Sequence, residues 1–360
     1  MQFNHPRGTT LLCGHEDILK RVTRSFVMGK LPHALLLSGP KGIGKATLAY
    51  YLARYLLSQT VGEALAFDLG DQGNQLSALK YDESVASQVA ARAHVDLFVL
   101  EKGHDPRTGK ERKEITVDEA RKLRQFFSLT AVSSMWRVAI IDSVDEMNRS
   151  GANAILKILE EPPRQTLLIL ISHVHELPFN TITSRCQRHL FQPLIMKDFV
   201  SVLSSGVGGL SPRELELLFH LSDGSPGIAT SVIHNDGITL FHELENLLGQ
   251  VPQLDYSRIH SLSDQLCARG AEEKFDLAMK YLAKWLSSAI RAKFDPKIGI
   301  PIVSQDISTT SRLISRKNLD EWIHLWEETN RLYKQVKKIN LDRKHVFLST
   351  LLSIGNLSES

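Results

Sequence analysis

Two hydrophobic rhythms divide this 360-residue chain. In the first part, short runs that are apolar at nearly every position alternate with longer stretches of helical period. The runs are Ala34-Leu-Leu-Leu-Ser38, Asp96-Leu-Phe-Val-Leu100, Val138-Ala-Ile-Ile-Asp142 and Leu167-Leu-Ile-Leu-Ile171. A strand that is apolar on both faces belongs in a parallel sheet covered by helices on both sides. The covering helices are legible too. Ile18, Val22 and Phe26 share one face before Gly29, and Leu48, Ala49, Leu52, Ala53 and Leu56 form a second stripe. Thr116-Val-Asp-Glu119 reads as a capping box that opens a helix carrying Leu123, Phe126 and Phe127. The expectation is one parallel sheet with strands near 34–38, 96–100, 137–142, 167–171 and 188–191. Residues 58–93, polar and rich in acid and glycine, read as a surface insert, and Lys102–Lys113 as a solvated loop.

Beyond about residue 192 the strand pattern stops. Short helices around Phe199–Leu203 and Glu214–Leu221 are broken by Gly206, Gly208, Gly209 and the turn Gly224-Ser-Pro-Gly227. From about 241 onward the period is helical. One face collects Phe275, Met279, Leu282, Leu286 and Ile290; another collects Leu319, Trp322, Ile323, Trp326 and Tyr333. Long amphipathic helices of this kind form a bundle. The chain divides into an α/β domain over 1–192, a small helical domain over 193–238 and a helical domain over 239–360.

Composition narrows the function classes. A net charge of +3 makes no case for nucleic acid. Cys13, Cys186 and Cys267 have no pairing rhythm, and no apolar run is long enough for a membrane span. The expectation is a cytoplasmic protein without membrane contact.

The chemistry begins at Gly39-Pro-Lys-Gly-Ile-Gly-Lys45, which follows an apolar strand and precedes a helix. Glycines at 39, 42 and 44 let backbone N–H groups turn around phosphate oxygens, the helix amino end adds positive potential, and Lys45 reaches the terminal phosphates. Asp142 ends its strand where a magnesium-directing carboxylate belongs. Two positions depart from a hydrolytic site. Ala46 stands where a hydroxyl would face Mg²⁺, with Thr47 about 100° further round the helix. Ser143 follows Asp142 where a water-activating carboxylate would be. The loop therefore reads either as a working nucleotide site or as one that keeps its shape and has lost turnover. The spacing of His173-Val-His175 puts two imidazoles on one strand face with no third ligand in view. Arg331, Lys334, Lys337, Lys338, Arg343 and Lys344 read as a solvated face, with contact to DNA phosphate as the alternative.

Three segments together resemble the bacterial clamp loaders of the AAA+ class: Leu31 through Lys45, Asn153-Ala-Ile-Leu-Lys-Ile-Leu-Glu-Glu-Pro-Pro163, and Thr183-Ser-Arg-Cys186. The likeness spans residues 11 to about 230. It implies an AAA+ P-loop domain with a helical lid and an all-helical collar, assembled in a hetero-oligomeric ring with gamma/tau motor subunits and a delta subunit. It implies work on a sliding clamp and primer–template DNA, as part of a DNA polymerase holoenzyme. It gives Arg185 the role of an arginine finger donated to a neighbour's ATP, and puts Ser172 near a polar sensor position. Gly39, Gly42, Gly44, Lys45, Thr47 and Asp142 become the residues for ATP or another nucleotide, with Mg²⁺ only if nucleotide binds. Ala46, Ser143 and Gly227 differ from the motor subunits, which carry a nucleotide-sensing arginine where Gly227 stands. The expectation is thus a ring subunit without its own ATPase; the alternative is an ATP-hydrolysing motor. No cysteine occurs in 57–95, where many relatives hold a zinc module, so zinc is not expected. Without the likeness, Arg185 reads first as a surface arginine capping the end of a helix.

Overall fold

The computed structural model describes residues 5–9, 12–59, 81–103, 112, 114–251, 253–294, 319–339 and 341–359. It divides into two compact units, Met1–Gly209 with Gly224–Gly227, and Leu210–Asp223 with Ile228–Ser360.

The first unit is built on five parallel strands: β1 (Ala34–Ser38), β2 (Leu97–Glu101), β3 (Arg137–Asp142), β4 (Thr166–Ser172) and β5 (Gln187–Leu190), in the order β2-β3-β4-β1-β5. The apolar runs of β1 to β4 bury alternate residues on opposite faces, whereas β5, at the edge, buries only His189. Leu35, Leu37, Ile140, Ile169 and Ile171 meet helix α1 (Glu16–Val27) through Ile18 and Val22, and α2 (Lys45–Leu57) through Leu48 and Leu52. Leu36, Ala139, Ile141, Leu168 and Leu170 meet α4 (Val117–Ser128) through Leu123 and Phe127, and α5 (Arg149–Glu160) through Ile155 and Leu159. The capping box of α4 forms as its sequence predicts, Thr116 N donating to Glu119 Oε2 at 2.8 Å.

One expectation changes. The stretch 58–93 is not an insert throughout, because Glu83–Ala91 forms helix α3, capped by Asp82, which accepts from Ser84 N at 2.7 Å. Val85 and Val89, one helical turn apart, supply an apolar stripe inside a polar composition, and Val89 is fully buried. The part over 60–80 and most of Lys102–Lys113 lie outside the described residues.

A buried carboxylate ties the start of β2 to the loop before β3. Asp96 accepts from Val132 N at 3.0 Å, Ser133 N at 2.9 Å and Ser134 N at 3.1 Å, with Arg137 Nε 3.6 Å away. Burial pushes this carboxyl up, but the bonds from residues 132–134 outweigh it and hold it below the ordinary value of 3.8. A depressed carboxyl contributes stability that is present above the unfolded value and lost as pH falls through the folded one. Asp96→Asn should therefore cost about 3 kcal/mol at neutral pH, with the deficit shrinking in the acid range. Urea unfolding at pH 7 and pH 3 measures both.

α6 (Asn180–Thr183) and α7 (Met196–Gly206) complete the first unit. The second unit consists of α8 (Pro212–Ser222), most of α9 (Pro226–His234), α10 (Gly237–Gly249), α11 (Tyr256–Cys267), α12 (Glu272–Phe294), α13 (Leu319–Ile339) and α14 (Arg343–Glu359). No strand follows Leu190 among the described residues. Phe275, Met279, Leu282 and Leu286 are buried as their spacing predicts. On α13 the inward face is different: Trp322, Leu325, Thr329 and Val336 are buried, whereas Trp326 is exposed. The buried set keeps a seven-residue repeat, which leaves Trp326 on the flank of the seam.

Candidate functional site

The loop after β1 takes left-handed backbone at Gly39 (φ 143°), Gly42 (φ 78°) and Gly44 (φ 104°), conformations a side chain would strain. Its carbonyls are tied from outside one after another. Lys45, nearly fully buried, donates through Nζ to Gly39 O at 2.7 Å and to Pro40 O. Ser225 Oγ donates to Lys41 O at 2.8 Å, Gly227 N to Gly42 O at 2.9 Å, and His15 Nε2 to Ile43 O at 2.7 Å. The turn Gly224-Ser-Pro-Gly227 is thereby seated on the phosphate loop. A Cβ at Gly227 would lie 2.7 Å from Gly42 Cα, closer than any side chain can come without moving backbone.

The rest of the nucleotide set is only partly equipped. Ala46 packs against the core, and Thr47 is half-buried one position on. Burial, and after it Glu101, raises Asp142 to about 6, against the pull of Lys45. Burial also lowers Lys45 to about 8, while Asp142 and Asp145 favour its charge. Ser143 is buried, and its hydroxyl has no partner, so the position of the expected water-activating group has no room at the surface. Gly39, Gly42 and Gly44 give the loop the backbone a phosphate cradle needs, while Lys45 Nζ is engaged by the carbonyls of Gly39 and Pro40; Ala46 offers no hydroxyl and Ser143 no carboxylate.

His173 lies with Nε2 3.9 Å from Asp142 Oδ1, and burial followed by Lys45 lowers it to about 4, so it is neutral at physiological pH. Its amide donates to Asp145 Oδ1 at 2.9 Å. Ser172 is spent on the strand exit, its hydroxyl donating to Val174 O at 3.0 Å. No group of three or more His, Cys, Asp or Glu able to hold a metal occurs among the described residues.

Arg185 sits elsewhere. It follows α6 and precedes β5, between Ile182, which is fully buried, and Cys186, whose thiol burial pushes up to about 12. With both neighbours anchored in the core, Arg185 points outward. Nη1 donates to Thr181 O at 2.9 Å, and Nη2 meets Glu160 Oε1 at 2.8 Å. Strand register fixes its level: Leu35 pairs with Gln187 and Ser38 with Leu190, so the phosphate loop leaves the carboxyl end of the sheet while Arg185 enters at the amino end. Three residues of strand alone separate those levels by roughly 10 Å.

A family model described as "DNA polymerase III, delta subunit" matches residues 14–195, half of the chain. The chain belongs to that family. A relative in this family's company is the DNA polymerase III subunit delta' of Pseudomonas aeruginosa, 35% identical over 207 residues that make up 57% of each chain. The DNA polymerase III subunit gamma of Buchnera aphidicola is 27% identical over 235 residues, 64% of this chain and 58% of that one. The chain thus spans somewhat over half the length of these relatives. A gamma subunit-related protein of Thermotoga maritima covers 96% of this chain and all of its own at 17% identity, with a TM-score of 0.42, too loose a likeness to argue from.

In this family member the glycine loop, Lys45 and Asp142 are brought together, and Arg185 is not among them. Two contacts of the site were not apparent in the sequence. Ser225 and Gly227 clasp the phosphate loop, a contact that neither the Gly-Ser-Pro-Gly turn nor the likeness at Gly227 foretold. Glu160 holds Arg185, and it lies in the Leu-Glu-Glu-Pro-Pro segment without any role assigned to it there. The basic cluster near the carboxyl end is partly neutralised, Arg343 meeting Glu272 at 3.2 Å and Arg331 meeting Glu328 at 3.3 Å.

Proposed function

We propose that this chain is a delta-prime-type subunit of a bacterial replicative clamp loader. In this reading it joins gamma/tau-type motor subunits and a delta subunit in a ring, donates Arg185 to a neighbour's ATP, and does not hydrolyse ATP itself. The ring loads a sliding clamp on primer–template DNA as part of the polymerase III holoenzyme. Residues 1–192 are its nucleotide-binding-like domain, 193–238 its lid and 239–360 the collar that joins the ring.

The observation that carries this reading is the level of Arg185. It stands at the amino end of edge strand β5, opposite the end where the chain's own phosphate loop begins. A guanidinium there is out of reach of its own loop, and beside its bonds to Glu160 and Thr181 it keeps donors for another molecule's phosphate. Ala46 and the buried Ser143 argue in the same direction against the alternative, an ATP-hydrolysing motor. The loop and Lys45 would hold a phosphate if nucleotide binds, and the neighbour's site supplies the turnover.

The test is assembly. Mixed with a gamma-type subunit of the same organism, the chain should co-elute in a hetero-oligomer and raise that subunit's ATP turnover. Failure to co-elute, or co-elution with no change in turnover, counts against the proposal.

A further inference from the structure

We infer that Glu160 is the positioning residue for Arg185; this rests on the finger reading above. The inference starts from how the two side chains come to meet. Helix α5 ends at Glu160 because Pro162 and Pro163 follow and cannot continue it. Ile158 and Leu159, just before, are buried, which turns Glu160 to the surface at the helix's last position. Arg185 is presented from the turn after α6 in the same manner, with Ile182 and Cys186 packed against the core around it. The two elements therefore bring one carboxylate and one guanidinium together at 2.8 Å, on backbone that packing has fixed.

An exposed arginine on a flexible stem samples many rotamers, and a donated finger works only if it arrives near its transition-state geometry. The guanidinium of Arg185 is held at two corners: Glu160 Oε1 takes Nη2, and the Thr181 carbonyl takes Nη1, which also donates to Ser184 Oγ at 3.3 Å. Five N–H groups in one plane leave donors over for a phosphate while those bonds persist. Side-chain exposures of 37% for Arg185 and 50% for Glu160 make the pair a weak contributor to stability. Stability is thus a poor account of what the contact does, whereas holding a reactive group in place needs no large energy. The Leu-Glu-Glu-Pro-Pro segment thereby divides its work: Leu159 packs the core and Glu160 orients the finger.

The test is single-turnover and steady-state ATP hydrolysis by the complex of this chain with a gamma-type subunit, with thermal melting as a control for folding. At the one site that Arg185 completes, read in single turnover, Glu160→Ala should lower the rate on the order of three- to tenfold, well short of the ~100-fold that a 1 Å misplacement can cost. The total steady-state rate falls by less, and KM and the melting temperature stay unchanged. Glu160→Gln keeps an acceptor for Nη2 and should restore most of the rate. In an Arg185→Ala background, Glu160→Ala should add nothing, since the group it orients is gone. The inference is overturned if Glu160→Ala leaves the rate unchanged or raises it, if Gln is as slow as Ala, or if the two losses multiply. Those outcomes leave the finger reading standing provided that Arg185→Ala alone is slow. If Arg185→Ala is itself without effect, the finger reading has failed first.

Discussion

Arg185→Ala should slow ATP turnover at the neighbouring site it completes by on the order of 10³-fold, and leave this chain folded and able to assemble. Charge builds on the γ-phosphate oxygens in the transition state, and a planar guanidinium donated across the boundary stabilises it. In a ring with several active sites the total rate falls by less, so single-turnover measurement gives the cleaner number. Arg185→Lys should recover little, because an ammonium lacks the fork that spans two oxygens and also loses one of the two bonds to Glu160 and Thr181. Melting of the variant should match that of the parent, since the ion pair it removes is exposed.

The isolated chain, by the same reasoning, should show no magnesium-dependent ATP turnover above background. Ala46 offers no hydroxyl to the metal and packs into the core, and Ser143 lies buried where a general base would have to reach solvent. Ser143→Glu should not repair the site. It buries a carboxylate without a partner and should destabilise the chain by about 3 kcal/mol or more, read as a lower midpoint in urea. With Asp142 at about 6, any metal-assisted phosphate binding should weaken as pH falls below that value, because the carboxyl is then protonated. Turnover by the isolated chain that Lys45→Ala abolishes would place the motor reading back in front.

How far the sequence alone reaches depends on whether a signal is local. Strands β1 to β4 fell within a residue or so of their apolar runs, since being apolar at consecutive positions has one solution in a sheet covered on both faces; edge strand β5, Gln187–Leu190, has no such run. The capping box at Thr116 was legible for the same reason. Helix α3 was missed because Val85 and Val89 are its whole stripe, in a stretch whose composition is otherwise that of a loop. Trp326 was assigned inward because a large aromatic residue at helical spacing suggests core; a neighbour-imposed seven-residue seam chose Leu325 instead. The glycine loop announced itself by residue type and spacing, and Arg185 only through the likeness of its segment to the clamp loaders. Their partners did not: Gly227 meets Gly42, and Glu160 meets Arg185, only through the packing of elements distant in sequence. That packing converts an arginine of either reading, surface or finger, into one held at a defined place on the far end of the sheet from its own phosphate loop.

The most direct measurement compares two substitutions in one assay. ATP turnover is followed for a complex of this chain with a gamma-type motor subunit, with Lys45→Ala or Arg185→Ala introduced into this chain alone. The account predicts that Lys45→Ala leaves the rate of the complex unchanged and that Arg185→Ala lowers it. A rate that falls with Lys45→Ala and holds with Arg185→Ala would contradict it.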